Sequence, residues 1–165
     1  MYVHSVCQHL QNNIFEETFM SLNLREASME DALDILKWRN DEKSREGSFS
    51  KEKINIPQHL EWYKKKINDP SCHLFILTDG GDKLGHIRLD VKGNIAEISY
   101  MIAPEHRGKG LGKEILHLVE STIPSDIKSL LAFTLPENAG SRKCFVDNNY
   151  LEFTAGDVIC YIKTL

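Results

Sequence analysis

Ser99-Tyr-Met-Ile-Ala-Pro-Glu-His-Arg-Gly-Lys-Gly-Leu-Gly-Lys-Glu-Ile-Leu-His-Leu-Val-Glu120 runs from a strand through a proline into a glycine-rich turn and then a helix. Gly108, Gly110 and Gly112 let the main chain approach a ligand without a Cβ in the way. The amides of such a turn have no partner inside the helix they precede, and they lie at the positive end of its dipole. The result is a cradle for an anion, a phosphate above all. Arg107 and Lys109 add charge-assisted donors at the same place.

Two familiar phosphate cradles do not fit. The Walker pattern needs a hydroxyl after Gly-Lys, and Glu114 follows Gly112-Lys113 here. The dinucleotide fingerprint needs its glycines straight after the first strand of a parallel unit, whereas this loop comes late, behind an antiparallel hairpin. What remains is Arg107-Gly-Lys-Gly110-Leu-Gly112. It resembles the pyrophosphate loop Arg/Gln-x-x-Gly-x-Gly/Ala of the GNAT superfamily of acetyl-CoA-dependent N-acetyltransferases.

At 165 residues the chain is one domain's worth, and 41% hydrophobic with 27% charged residues is the balance of a globular protein with a single core. A net charge of −4 supplies no basic field for nucleic acid. No apolar run approaches the roughly 20 residues of a membrane span, and Met1-Tyr-Val-His-Ser-Val-Cys7 lacks the marks of a signal peptide. Cys7, Cys72, Cys144 and Cys160 show neither a disulfide framework nor a zinc spacing, which points to free thiols in a reducing cytoplasm. The seven histidines form no i, i+4 ligand pair, so no metal is expected.

Residues 1–19 read as an N-terminal extension to a domain at 20–165. They are polar and precede Met20; a short appended helix, an expression-related extension and an early start codon all fit them. Strand alternation begins at Leu22. Ser28 is placed as an N-cap with Asp31 closing a near capping box, followed by the apolar stripe Met29, Ala32, Leu33 and Leu36. Residues 41–56 read as a charged loop, and Pro57 opens a second helix with Leu60, Tyr63 and Ile67 on one side. Strands follow at 72–78, 83–91 and 94–102, separated by Asp79-Gly-Gly-Asp82 and Lys92-Gly-Asn94. A helix from about Gly110 to Ile123, a strand at 128–135, a helix from about Asn138 to Asn148 and a closing hairpin complete the chain. The order β-α-α-β-β-β-α-β-α-β-β predicts an α+β fold: a mixed, mostly antiparallel sheet of about seven strands with four helices.

With the hairpin turning at Gly93-Asn94, Asp90 lies opposite Glu97 and Arg88 opposite Ser99. His86, Arg88, Asp90, Glu97 and Ser99 then share one polar face beside the anion loop. Arg88 and Asp90 are expected to pair with neighbours, leaving His86 and Glu97 for chemistry. The fourth helix adds a second motif. Asn138, Ser141 and Phe145, with Asn149-Tyr150 beyond, resemble the superfamily's Asn-x-x-Ser/Ala-x-x-x-Tyr-x-x-x-Gly-Phe signature.

The resemblance implies that acetyl-CoA lies where the 94–102 strand splays from the 128–135 strand. Main-chain groups of Met101, Ile102 and Ala103 would meet pantetheine. Amides of Arg107, Gly108, Lys109, Gly110, Leu111 and Gly112 would hold the pyrophosphate, and Asn138 and Ser141 would line the pantetheine arm. Glu97 corresponds to a frequent general base, and a strand amide would meet the oxyanion. The tyrosine that commonly protonates the leaving thiolate falls at Phe145, so either the thiolate leaves unassisted or Tyr150, Cys144 or water serves.

Trp38-Arg39-Asn40-Asp41, Ser48-Phe49, His59-Leu-Glu-Trp62 and Gly85-His86-Ile-Arg88-Leu-Asp90 bear on the acceptor. Together they resemble the N-acetyltransferases of nucleotide-linked amino sugars in pseudaminic-acid and related nonulosonate biosynthesis. On that likeness Arg39 meets a phosphate, Asn40 and His86 meet the sugar, and Trp38 or Trp62 stacks on a ring. A protein N-terminal acetyltransferase of the ribosomal-protein-alanine type and a silent coenzyme-A-binding module are the alternatives. The partner expected is a small molecule, with neither nucleic acid nor membrane, and a homodimer as the assembly to test.

Overall fold

The computed structural model describes residues 21–165, so the reading of residues 1–19 as an extension lies outside the described residues. The chain runs β1 (Leu22–Glu26), α1 (Ala32–Asn40), α2 (Glu42–Glu46), α3 (Ile56–Ile67), β2 (Cys72–Asp79), β3 (Asp82–Lys92), β4 (Ile95–Ile102), α4 (Leu111–Thr122), β5 (Ser129–Thr134), α5 (Ala139–Asp147), β6 (Leu151–Ala155) and β7 (Val158–Thr164). Seven strands form one sheet in the order β1-β2-β3-β4-β5-β7-β6. Each neighbouring pair is antiparallel except β4 with β5. This is the mixed, mostly antiparallel sheet expected from the order of elements.

The helices cover both faces. Leu111, Ile115, Leu116 and Val119 of α4 pack with Phe145 of α5 on Ile87, Leu89, Ala96 and Ile98 of the central strands. On the other face Ala32, Ile35 and Trp38 of α1 meet Tyr63 of α3 over Leu74 and Ile76. The alternation along β3 and β4 thus divides two cores, as a sheet buried on both sides requires. The register follows the turn: Asp90 pairs with Glu97 and Arg88 with Ser99.

One element departs from expectation. Glu42–Glu46, read as loop, is a short helix, so there are five α-helices among the described residues rather than four. Its sequence buries no residue and so carries no apolar stripe to reveal it. Asp41 caps it by accepting from the Ser44 amide at 3.2 Å.

The entry to α1 is the capping box the sequence suggested. The Ser28 side chain accepts from Glu30 N, and the Asp31 carboxylate accepts from Ser28 N at 2.8 Å. Asp31 is 1% exposed and also takes Arg25 at 2.7 Å and Lys83 at 2.8 Å. Burial works to raise its carboxyl, but the bonds from Arg25, Lys83 and the Ser28 amide outweigh it and hold Asp31 well below the usual carboxylate range. A carboxyl depressed by folding stabilises the protein above its unfolded value of about 4 and loses that contribution as pH falls below it. Asp31→Asn is therefore expected to cost about 2 kcal/mol at neutral pH, allowing for solvent on Arg25 and Lys83. In urea melts the gap between wild type and variant should close below about pH 4.

Candidate active site

β4 and β5 stay paired from Ile95–Ser129 to Ile98–Ala132 and no further. Past that point the β5-facing edge of Tyr100, Met101 and Ile102 has no ladder partner, although β3 still pairs on the other side. The gap opens straight into the glycine-rich turn, where Gly108 and Gly110 take left-handed φ values of 76° and 79°. A Cβ at Gly110 would meet no atom within 4 Å, so it is the backbone angle and not space that requires glycine. Gly112 differs: a Cβ there would lie 2.8 Å from Cys144 Sγ and 3.4 Å from the Tyr100 ring. The amides of Gly108 to Gly112 take no acceptor among the described residues, while those of Lys113 and Glu114 bond Gly110 O. The open amides face a cleft of about 670 Å³ lined by Met101, Ile102, Gly108, Gly110, Gly112 and Asn138 among others. Free amides, left-handed glycines and an unpaired strand edge suit the diphosphate and the amide-bearing arm of coenzyme A.

The flanking side chains are less free than the sequence implied. Arg107 is turned to α2, donating to Asp41 at 2.7 Å and Ser44 Oγ at 2.6 Å, and its guanidinium holds Asp41 below the usual carboxylate range. Lys109 is exposed, and Ala103 is fully buried with its amide on Leu84 O. Asn138 caps α5 by accepting from Ser141 N at 3.2 Å and donates to Gly47 O at 3.1 Å. One of its amide hydrogens is left for a ligand.

A second cavity of about 500 Å³ adjoins the first. Gly47, Ser48, Tyr100, Met101, Asn138 and Ser141 line both. Its walls bring together Arg39, Trp62, His86, Arg88 and Glu97. Arg88 pairs with Asp90 at 2.8 Å and lies 5.3 Å from the centre of the Trp62 ring. Lys66 also claims Asp90, and Glu97, exposed, makes no ion pair among the described residues. Arg39 Nη2 donates to Ser50 O at 2.7 Å, while Nη1 is buried without a partner. Burial, then the like charge of Arg45, lowers the Arg39 pKa.

His86 is 6% exposed, stacked on Trp38 at 6.4 Å, and neither ring nitrogen has a partner. Burial, reinforced by Arg88 and His59, pushes its pKa down to about 3. A base that weak stays neutral and takes no proton from an ammonium.

Besides Ala103 and Lys109, which line neither cavity, three more residues expected at the site lie elsewhere. Trp38 is a core residue behind His86 and lines neither cavity. Asn40 joins both faces of its carboxamide to Ile54, donating to its O at 2.8 Å and accepting from its N at 2.9 Å, and so fastens the segment over the cavity instead of lining it. Tyr150 sits in the core 5.2 Å from Phe145, its hydroxyl buried, unpaired and away from both cavities. Of the two tryptophans, Trp62 is the one that reaches the wall. The sequence passed over Tyr100 because its place among Ala96, Ile98 and Ile102 reads as core; the signal available was a hydroxyl on the strand that feeds the anion loop.

Residues 21–148 match the family model for the acetyltransferase (GNAT) domain. The chain belongs to the GNAT acetyltransferases. Like them it is an acetyl-CoA-dependent acyltransferase, and no cluster of three or more metal-ligating side chains occurs among the described residues. No curated protein matches the sequence. Among solved structures, this acetyltransferase is similar to the spermidine N-acetyltransferase of Vibrio cholerae in complex with coenzyme A and spermine, at 23% identity and TM-score 0.76 over 87% of this chain and 95% of that one. It is likewise similar to an aminoglycoside acetyltransferase in complex with coenzyme A, at 16% identity and TM-score 0.74 over 87% and 95%. A third likeness is to RimL, a ribosomal L7/L12 protein acetyltransferase in complex with coenzyme A, at 12% identity and TM-score 0.75 over 87% and 94%. Identities this low speak for the fold alone. No described helix is long and apolar enough to cross a membrane.

Gly110→Ala forces an L side chain into left-handed backbone, at about 1–2 kcal/mol. Calorimetric titration of the variant with coenzyme A is expected to show roughly tenfold weaker binding; unchanged affinity would place the diphosphate elsewhere.

Proposed function

We propose that this acetyltransferase acts on the primary amine of a small acceptor that also bears a phosphate, a nucleotide-linked amino sugar being the fitting class. The observation that carries the reading is Arg39. Its guanidinium forms part of the acceptor wall with one nitrogen buried and unpaired and no carboxylate beside it. Arg39 is half-buried, but its Nη1 is closed off from water without an acceptor, and an oxyanion on the acceptor would satisfy it once the segment around Ser50 gives way. Glu97 is the single carboxylate among the described lining residues, against Arg39 and Arg88. That balance suits an acceptor with an anionic group better than a polyamine. The Trp62 ring, already backed by Arg88, offers a surface for a base or sugar ring.

In this reading the amides of Arg107 to Gly112 hold the pyrophosphate, the open edge of Met101 and Ile102 and the spare hydrogen of Asn138 hold the pantetheine arm, and Ser141 lines it. Glu97, free of ion pairs and at the cavity, draws the proton from the attacking amine through water. His86, neutral, accepts a hydrogen bond from the acceptor and does no proton transfer.

Coenzyme A release is to be assayed with amino-sugar nucleotides, their dephosphorylated amino sugars and a panel of N-terminal peptides. Turnover confined to the peptides would overturn the acceptor class, and binding of acetyl-CoA without release from any amine would leave a silent module. Glu97→Gln is expected to lower kcat by about a hundredfold with acetyl-CoA affinity within a factor of about two; equal losses in both would remove Glu97 from its role. Arg39→Gln is expected to raise KM for the phosphorylated acceptor about ten- to hundredfold while leaving the dephosphorylated amine unchanged.

A further inference from the structure

The two cavities meet at six residues, and acetyl transfer between a cofactor in one and an acceptor in the other must occur there. Of Gly47, Ser48, Tyr100, Met101, Asn138 and Ser141, Tyr100 has the only ionisable side chain. Ser48 Oγ already donates to Ser44 O at 2.5 Å, and the one amide hydrogen that Asn138 has to spare is assigned above to the pantetheine arm. The Tyr100 hydroxyl has one partner, Ser141 Oγ, at a long 3.3 Å. Its ring is held edge-on to Phe145, with centroids 5.7 Å apart. Phe145 itself has no proton to offer, and Tyr150 is walled off in the core.

We propose that the Tyr100 hydroxyl donates a hydrogen bond to the sulfur of coenzyme A as the carbon–sulfur bond breaks, and keeps its own proton. The assignment rests on the cofactor lying along the amide cradle with its thioester at the junction, and not on which amine is the acceptor. The amine nitrogen bonds the acetyl carbon, the electron pair of the broken bond goes to sulfur, and the proton shed by the amine leaves through Glu97. The sulfur takes its proton from water after departure. A preorganised donor aimed at developing charge lowers the barrier without any proton changing hands. Burial first, then the adjacent Cys144 thiol, raises the Tyr100 phenol above its ordinary value. A phenol more weakly acidic than a thiol stabilises a thiolate by hydrogen bonding and does not protonate it.

The test reads the bound thiol directly. Coenzyme A complexes of wild type and Tyr100→Phe are titrated by thiolate absorbance, with the desulfo-coenzyme A complex as blank to cancel Cys144, Cys160, Tyr161 and the other protein groups. In wild type the bound thiol is expected to titrate below the free-thiol value of about 8.5, and in the variant about one unit higher, a tenfold shift. On the best amine, kcat of the variant should fall about a hundredfold with KM for acetyl-CoA within about threefold. Identical titrations in the two proteins would overturn the proposal. So would an alkaline limb in the wild-type rate profile that vanishes in the variant, since that limb would mean the phenol gives up its proton. Should the variant not fold, wild type alone decides, because a bound thiol titrating at or above the free value also overturns it.

Discussion

The site exists because two neighbouring strands part company. β4 and β5 are the one parallel pair in the sheet, and their ladder stops at Ile98 and Ala132. Beyond it β4 remains fastened to β3, so the strand keeps its direction while one edge lies bare. A bare strand edge inside a fold leaves main-chain groups that must be satisfied by something else. Here the continuation of the same strand supplies the amide cradle, so the bare edge and the open amides lie on a single run of chain from Tyr100 to Gly112, and in the proposed reading one ligand spans both.

The segments that roof the site are fastened by side chains drawn from all around it. Arg107 reaches from the cradle to Asp41 and Ser44, tying α2 to the glycine-rich turn. Asn138 reaches from α5 to Gly47, and Asn40 reaches from α1 to Ile54. Polar side chains near the site therefore divide by what their hydrogen bonds hold. Asn40 and Arg107 fix main chain and helix ends; Glu97 and one nitrogen of Arg39 are left over for a ligand.

Much of this was legible beforehand, for local reasons. Gly93-Asn94 fixed a two-residue turn, and from the turn came the register that set Asp90 against Glu97 and divided the faces of β3 and β4. The cap at Ser28 and the glycines of the anion loop are likewise short-range signals with one physical meaning each. What failed depended on contacts distant in sequence. A tryptophan at the end of α1 and one in α3 look alike on paper, and only packing decides that Trp38 goes under His86 while Trp62 faces the cavity. The helix α2 has no apolar face to betray it, and its anchor lies at Arg107, 66 positions from Asp41. Tyr100 was masked by its own regularity: alternation assigned it to the core, but the β4–β5 ladder ends two residues before it, which turns a core position into a cleft position.

The unpaired imidazole of His86 has a further consequence, for the fold rather than for the chemistry. Its folded pKa near 3 lies far below the ordinary histidine value, with Arg88 beside it and His59 across from it on α3 adding to the effect of burial. An unfolded chain therefore takes up a proton there below about pH 6.5 that the folded one refuses, and stability declines with acidification from that point. Asp31 does not begin to lose its contribution until about pH 4. Mild acid is thus felt first at a histidine in the lining of a cavity, while the salt-bridged helix entrance, the more obviously electrostatic part of the molecule, yields only later.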